Sequence, residues 1–151
     1  MSENIYESLR ASHKIQRSLC RKLLRAKEDM QKRAMLRELR IELAAHAAAE
    51  ERYLYAPILM DDMGLNSSRH ALHEHHEIDE CIEDFEGVKP SSARWDKLAH
   101  KLSEEVHHHL SEEEKKFFQV SGKILSDTQK QTLARRYEKD YERLKKKLSE
   151  H

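Results

Sequence analysis

Apolar residues recur three and four places apart over most of this chain, the spacing of a helix side that faces a core. Ile5, Leu9, Leu19 and Leu23 predict a first helix over about 3–26. Glu28-Asp29-Met30-Gln31 reads as a short polar turn. Leu39, Leu43, His46, Glu50 and Leu54 form the stripe of a second helix, over about 33–59. A loop with Gly64 follows, and Asn66-Ser67 is a start signal for a third helix over about 68–85, with Leu72, His75, Ile78, Ile82 and Phe85 on one side. Gly87 and Pro90 break the chain, and Ser91-Ser92 caps a fourth helix over about 93–120. Its stripe is Leu102, Val106, His109, Glu113 and Phe117, and Ser121-Gly122 ends it. Ser126-Asp127-Thr128-Gln129 is a capping box that opens a last, highly charged helix with a narrow stripe of Leu133, Tyr137, Tyr141 and Leu144. No sustained period-two alternation competes, so the class is all-α. Short connections between long helices favour an up-down-up-down antiparallel four-helix bundle with an additional C-terminal helix outside it. The expected organisation is a single domain over 1–151, with the bundle core at about 3–121 and the extra helix at about 126–149.

Two of these stripes carry charge where a core belongs. His46-Ala-Ala-Ala-Glu50-Glu51 and His109-Leu-Ser-Glu-Glu113-Glu114 look like copies of one device, each followed by a basic residue and then an apolar–aromatic pair. Positions i and i+4 share a helix face, so each copy aims one imidazole and one carboxylate the same way. Buried charge must be paired or must bind metal. The first helix can add His13, and the third His75, which alone among its histidines falls on the apolar face. The candidate ligands are therefore His13, His46, Glu50, His75, His109 and Glu113. His70, His73, His76, His107 and His108 read as solvated neighbours. Glu51, Glu112 and Glu114 read as exterior charge or support for the ligands, and Glu51 also suits an open coordination position.

Composition narrows the chemistry. Acidic and basic residues number 28 each, so zero net charge gives no argument for nucleic acid or an anionic membrane. No apolar run approaches spanning length, and the first residues lack a targeting pattern. Cys20 and Cys81 stand apart with no CxxC, which suits reduced packing thiols in a cytoplasmic protein. The absence of a thiolate cluster argues against Cys-rich structural zinc. His73-Glu74-His75-His76 fails as HExxH, and Glu-x-x-His occurs only on the fourth helix, off its stripe. Mixed imidazole and carboxylate ligands suit iron, with manganese or zinc as substitutes. Two octahedral ions offer about twelve positions. Four imidazoles, two bridging carboxylates and a bridging oxo or hydroxo group leave a couple open. The inward carboxylates and imidazoles also suggest like charges brought together when metal is absent, so that metal supports the fold.

The arrangement resembles the hemerythrin-like, HHE cation-binding family. Ser12-His13-Lys14-Ile15, Ala45-His46 through Tyr55, Glu74-His75-His76-Glu77-Ile78 and His109 through Phe118 are similar to that family's four helix motifs, over about residues 5–121. Oxygen-carrying hemerythrins have a second histidine where this chain has Ala71, and a different spacing to an aspartate on the last helix. The resemblance therefore implies a more open iron pair, closer to the family's bacterial and regulatory branches. The expected function is a non-haem di-iron protein that binds O2, NO or peroxide for sensing, buffering or detoxification. A di-iron enzyme reducing the same molecules, or repairing iron centres, is the alternative. A bundle whose histidines merely pack is the third reading.

Overall fold

The structure, a computed structural model, describes residues 4–150. α1 (Ile5–Arg25) opens on Asn4, whose side chain accepts from the Glu7 backbone N–H. The expected start at residue 3 lies outside the described residues. α2 (Asp29–Glu50) begins earlier than the polar turn suggested. Nothing in Asp29–Lys32 breaks a helix, and Asp29 suits the positive end of the helix dipole. α2 then passes through one π turn (Glu51–Tyr55) and continues as Ala56–Leu59. α3 (Leu65–Glu83) starts at Gly64 rather than at Asn66-Ser67. A Cβ on Gly64 would lie 2.3 Å from Ile58 Cγ2, so only glycine admits this close approach. Gly87 turns the next connection at φ 75°.

α4 (Ala93–Glu112) is capped by Ser92 as expected. It runs through a second π turn (Glu113–Phe117) and on through Phe118–Ile124. Ser121-Gly122 therefore does not end it. Ser121 is buried, and its hydroxyl hydrogen-bonds Tyr6 at 2.8 Å and donates to the Phe118 carbonyl, so it serves the helix interior. α5 (Asp127–Ser149) begins with the Ser126/Gln129 capping box.

α1, α2, α3 and α4 form the four-helix bundle. α5 lies along α1 and α2. Two apolar clusters fill the bundle. One gathers Leu19, Leu23, Leu39, Ile78, Phe85, Trp95 and Leu102. The other gathers Ile5, Leu9, Leu54, Ile58, Phe117 and Phe118, and takes Tyr137 and Tyr141 from α5. His13, His46, Glu50, His75, His109 and Glu113 are all buried polar residues that the two clusters leave out.

The narrow stripe of α5 understated its role. Tyr137 is 1% exposed and Tyr141 is 8% exposed, so this helix completes the core. Polar staples tie it down. Tyr141 donates to Glu42 Oε2 at 2.5 Å, Ser12 donates to the same oxygen at 2.6 Å, and Lys145 lies 3.1 Å from Glu42 Oε1. Arg52 reaches Asp140 at 2.6 Å, and Ser8 donates to Glu138 at 2.6 Å. Among the described residues, no helix is long and apolar enough to cross a membrane.

Candidate metal centre

All six ligand candidates come together in the bundle interior, in two groups that share their carboxylates. His13, His46, Glu50 and Glu113 make position 1, and Glu50, His75, His109 and Glu113 make position 2; within each group the donor atoms lie within 4.8 Å of one another. Glu50 Oε1 is 3.2 Å from His46 Nε2 and 3.2 Å from His75 Nε2. Glu113 lies 3.2 Å from His13 Nε2 and 3.5 Å from His109 Nε2. Each carboxylate therefore touches one imidazole of each group. The paired rings sit 5.1 Å apart at position 1 and 4.8 Å apart at position 2.

The inward atoms do not satisfy each other. His13 Nε2, His46 Nε2, both oxygens of Glu50, His109 Nε2 and Glu113 Oε1 are buried without an aligned hydrogen-bond partner. They are six of the nine such side-chain atoms among the described residues, so the deficit is concentrated here. Buried polar atoms seldom go unpaired. Close approach without hydrogen-bond alignment is what donors aimed at a common ion show, so the residues present fit a pair of metal ions.

The outward ring nitrogens are all occupied. His13 Nδ1 meets Glu114 at 2.6 Å, His46 Nδ1 the Tyr137 hydroxyl at 2.8 Å, His75 Nδ1 Glu51 at 2.8 Å and His109 Nδ1 Glu74 at 2.9 Å. Holding the proton on Nδ1 leaves the Nε2 lone pair free to ligate and fixes the ring. The doubled glutamates divide this work. Glu50 and Glu113 point in, while Glu51 and Glu114 reach the Nδ1 of a histidine on another helix. Glu51 is thus an orienting partner of His75, and its expected alternative as a direct ligand is not the contact it makes. Arg17 in turn holds Glu114 at 3.0 Å.

Three residues of the centre escaped the sequence reading: Glu74, Tyr137 and Tyr55. Tyr55 donates a short hydrogen bond to Glu113 Oε2, and its oxygen lies 3.3 Å from His75 Nε2, at position 2. The π turn explains its placement. A residue added to the turn brings position i+5 from Glu50 back to the interior instead of i+4 alone. The same device after Glu113 delivers Phe118, which stacks at 6.0 Å on His13. Position 1 therefore has a phenyl ring against one of its imidazoles, while position 2 has a phenol oxygen within reach of Glu113 and His75. Ala71 lies on the wall of a pocket of about 230 Å³ that reaches His109 and Glu113 from the surface. This cavity lies beside position 2.

The sequence profile of the Hemerythrin HHE cation binding domain matches residues 4–120. The chain belongs to the hemerythrin HHE cation-binding family. Membership implies cation binding, and the His/Glu groups able to hold a cation lie within the matched segment. No curated protein matches the sequence. The fold is similar to the crystal structure of a hemerythrin HHE cation-binding-domain protein from Mycobacterium kansasii, with TM-score 0.85 and 22% identity. That match covers 97% of this chain and 90% of the other, so it takes in α5, which the family profile does not.

Without metal, Glu50 and Glu113 stand in both groups with donor atoms within 4.8 Å of one another, so like charges are brought together as expected. Each glutamate also lies between histidines, which offset that repulsion. Burial disfavours the imidazolium of His13, but Glu113 and Glu114 outweigh it and raise its pKa from 6.5 to about 9. Burial is likewise outweighed at His75 by Glu50 and Glu51, which raise it to about 10. Glu50 is held well below the ordinary carboxylate range, burial being overcome chiefly by His46 and His75. Raised histidine pKa values stabilise the metal-free fold fully below pH 6.5, and that contribution is lost as pH rises through about 9 and 10. Metal needs neutral imidazole, so its uptake near neutral pH should expel about two protons per chain. Calorimetry in buffers of different ionisation enthalpy measures this release. The melting-temperature gain on metal binding should also grow from pH 6.5 to 9, because the metal-free protein weakens over that range. A gain that shrinks with pH would contradict the assignment.

Proposed function

We propose that this protein is a non-haem di-iron protein that binds O2 or a related small molecule, NO or peroxide, beside position 2, for sensing, buffering or detoxification. The observation that supports it most is the sharing of Glu50 and Glu113 by two histidine pairs. Four imidazoles and two carboxylates, with no thiolate, suit iron, with manganese or zinc as substitutes. Cys20 and Cys81 belong instead to the apolar cluster of Leu23, Leu39 and Trp95. Bound iron would supply a change of oxidation state and an open coordination position.

The chain supplies the rest. Glu114, Tyr137, Glu51 and Glu74 hold the four rings by their outward nitrogens. Phe118 stacks on the His13 ring at position 1. The pocket at Ala71 admits a small molecule to the His109 side. Tyr55 fixes Glu113 by its hydrogen bond.

Tyr55 also favours a second reading, an enzyme that reduces peroxide, O2 or NO. Burial, then the charges of Glu113 and Glu50, hold its pKa well above the ordinary phenol value. Its hydroxyl therefore stays protonated, bonded to Glu113 and 3.3 Å from His75 Nε2, where it can offer a hydrogen bond to a molecule bound at position 2.

The test is to load the protein with ferrous iron without air and then add O2, NO or peroxide, following the optical spectrum and the product. Near-ultraviolet bands that appear with gas and reverse on its removal support binding. Many turnovers with a defined product when an external electron donor is added, slowed by Tyr55→Phe, support the enzyme. Iron uptake with no response to any of the three would overturn both.

A further inference from the structure

Two imidazoles and two carboxylates meet at the surface where α3 faces α4, just outside position 2. His70 Nε2 lies 2.8 Å from Glu112 Oε1 and 3.5 Å from Glu74 Oε2. His108 Nε2 lies 2.9 Å from Glu112 Oε2 and 3.6 Å from Glu74 Oε2. Donor atoms of His70, Glu74 and Glu112 fall within 4.8 Å of one another. The imidazoles are 54% and 69% exposed, so the group is open to solvent.

Ordinary solvated pairs on this protein look different. His73 pairs with Glu77 and His76 with Glu80, each at 3.4 Å and each within one helix. The cluster at His70 and His108 spans two helices: His70, Glu74 and Glu112 turn donor atoms toward one place, and His108 pairs with the same two carboxylates. Two further observations connect it to the interior. The pocket of about 230 Å³ has His70, Glu74 and Glu112 on its wall together with the buried His109 and Glu113. His109 Nε2 and Glu113 Oε1 are among the buried atoms that lack a partner. Glu74 also touches both sites, with Oε1 2.9 Å from His109 Nδ1 and Oε2 facing His70 and His108.

The geometry points to a third, exposed divalent-cation site, made by His70, Glu74 and Glu112 and flanked by His108, that takes Fe2+ or Zn2+ from solution and passes it to position 2. The proposal rests on reading His75, His109, Glu50 and Glu113 as metal ligands. Imidazole and carboxylate donors in this mixture suit both ions. Exposure leaves water on the ion and makes it exchangeable, as a loading site requires.

The test compares the metal-filled wild type with the His70→Ala/His108→Ala double variant, whose substitutions lie outside the buried centre. Both should hold two buried ions per chain. Titration with Zn2+ should then show one further, weaker ion in the wild type and none in the variant. Ferrous iron should pass to an external chelator several-fold more slowly from the variant, since exit retraces the loading path. Two buried ions in both proteins, with equal titrations or equal release rates, would overturn the proposal. Buried ions in neither would overturn the reading of the centre on which it rests.

Discussion

Replacing Glu50 with alanine is expected to empty both metal positions. Its carboxylate belongs to both ligand groups and contacts a histidine in each, His46 and His75. Glu50 is fully buried, and no neighbouring carboxylate can take its place. Glu51 and Glu114 are committed to His75 and His13 by the outward nitrogens. His13→Ala and His109→Ala should differ, because each histidine belongs to one group only. Each should lose one ion more readily than the other. The metal-free Glu50→Ala protein should also be less stable than metal-free wild type by about 3–5 kcal/mol, the usual cost of stranding a buried charge. Metal content per chain and a denaturant melt of each variant measure these differences. If Glu50→Ala retains both ions, the carboxylate does not bridge.

Ending the chain at Leu125 should have the second large effect. α5 contributes Ala134, Tyr137 and Tyr141 to the core, and its removal would bare the flank of α1 and α2. Losing one large buried aromatic costs about 3–5 kcal/mol. Two together reach the whole stability of an ordinary domain, about 5–15 kcal/mol. Glu42 would also lose Tyr141 and Lys145 and keep only Ser12 among these partners. The truncated chain should therefore fail to fold when metal is absent. Tyr137→Phe separates packing from ligand support, because it removes one hydroxyl and keeps the ring. Its stability cost should be about 1 kcal/mol. The lost hydrogen bond to His46 should weaken metal at position 1 by about 10–100-fold. A melting temperature and a competitive metal titration report the two effects separately. A truncated chain that folds and binds metal normally would make α5 an ornament.

The bundle was legible because its stripes are long and its breakers few. The six candidate ligands could be named because two His-x-x-x-Glu motifs sit on clean apolar faces, where charge demands a reason. Tyr55 was not legible, because a π turn shifts the helix face by one residue and leaves no mark in the spacing. Tyr137 and Glu74 escaped for another reason. Their partners His46 and His109 lie 91 and 35 residues away in sequence, beyond the reach of any local pattern. The role of α5 was hidden by its composition. A helix rich in charge can still bury one line of aromatic rings, and only its neighbours reveal that the line is covered. Helix ends moved where a polar run such as Glu28–Gln31 looked like a turn but contained no true breaker, and where Ser121-Gly122 looked like a stop.

The most direct measurement is the amount and identity of metal per chain in protein purified without added metal, read beside the Glu50→Ala variant. The account predicts about two irons per chain in the wild type, in line with a pair of octahedral sites, and none held by the variant. No metal in the wild type, and none taken up from ferrous iron without air, would contradict it and leave a helical bundle whose histidines and glutamates only pair with each other.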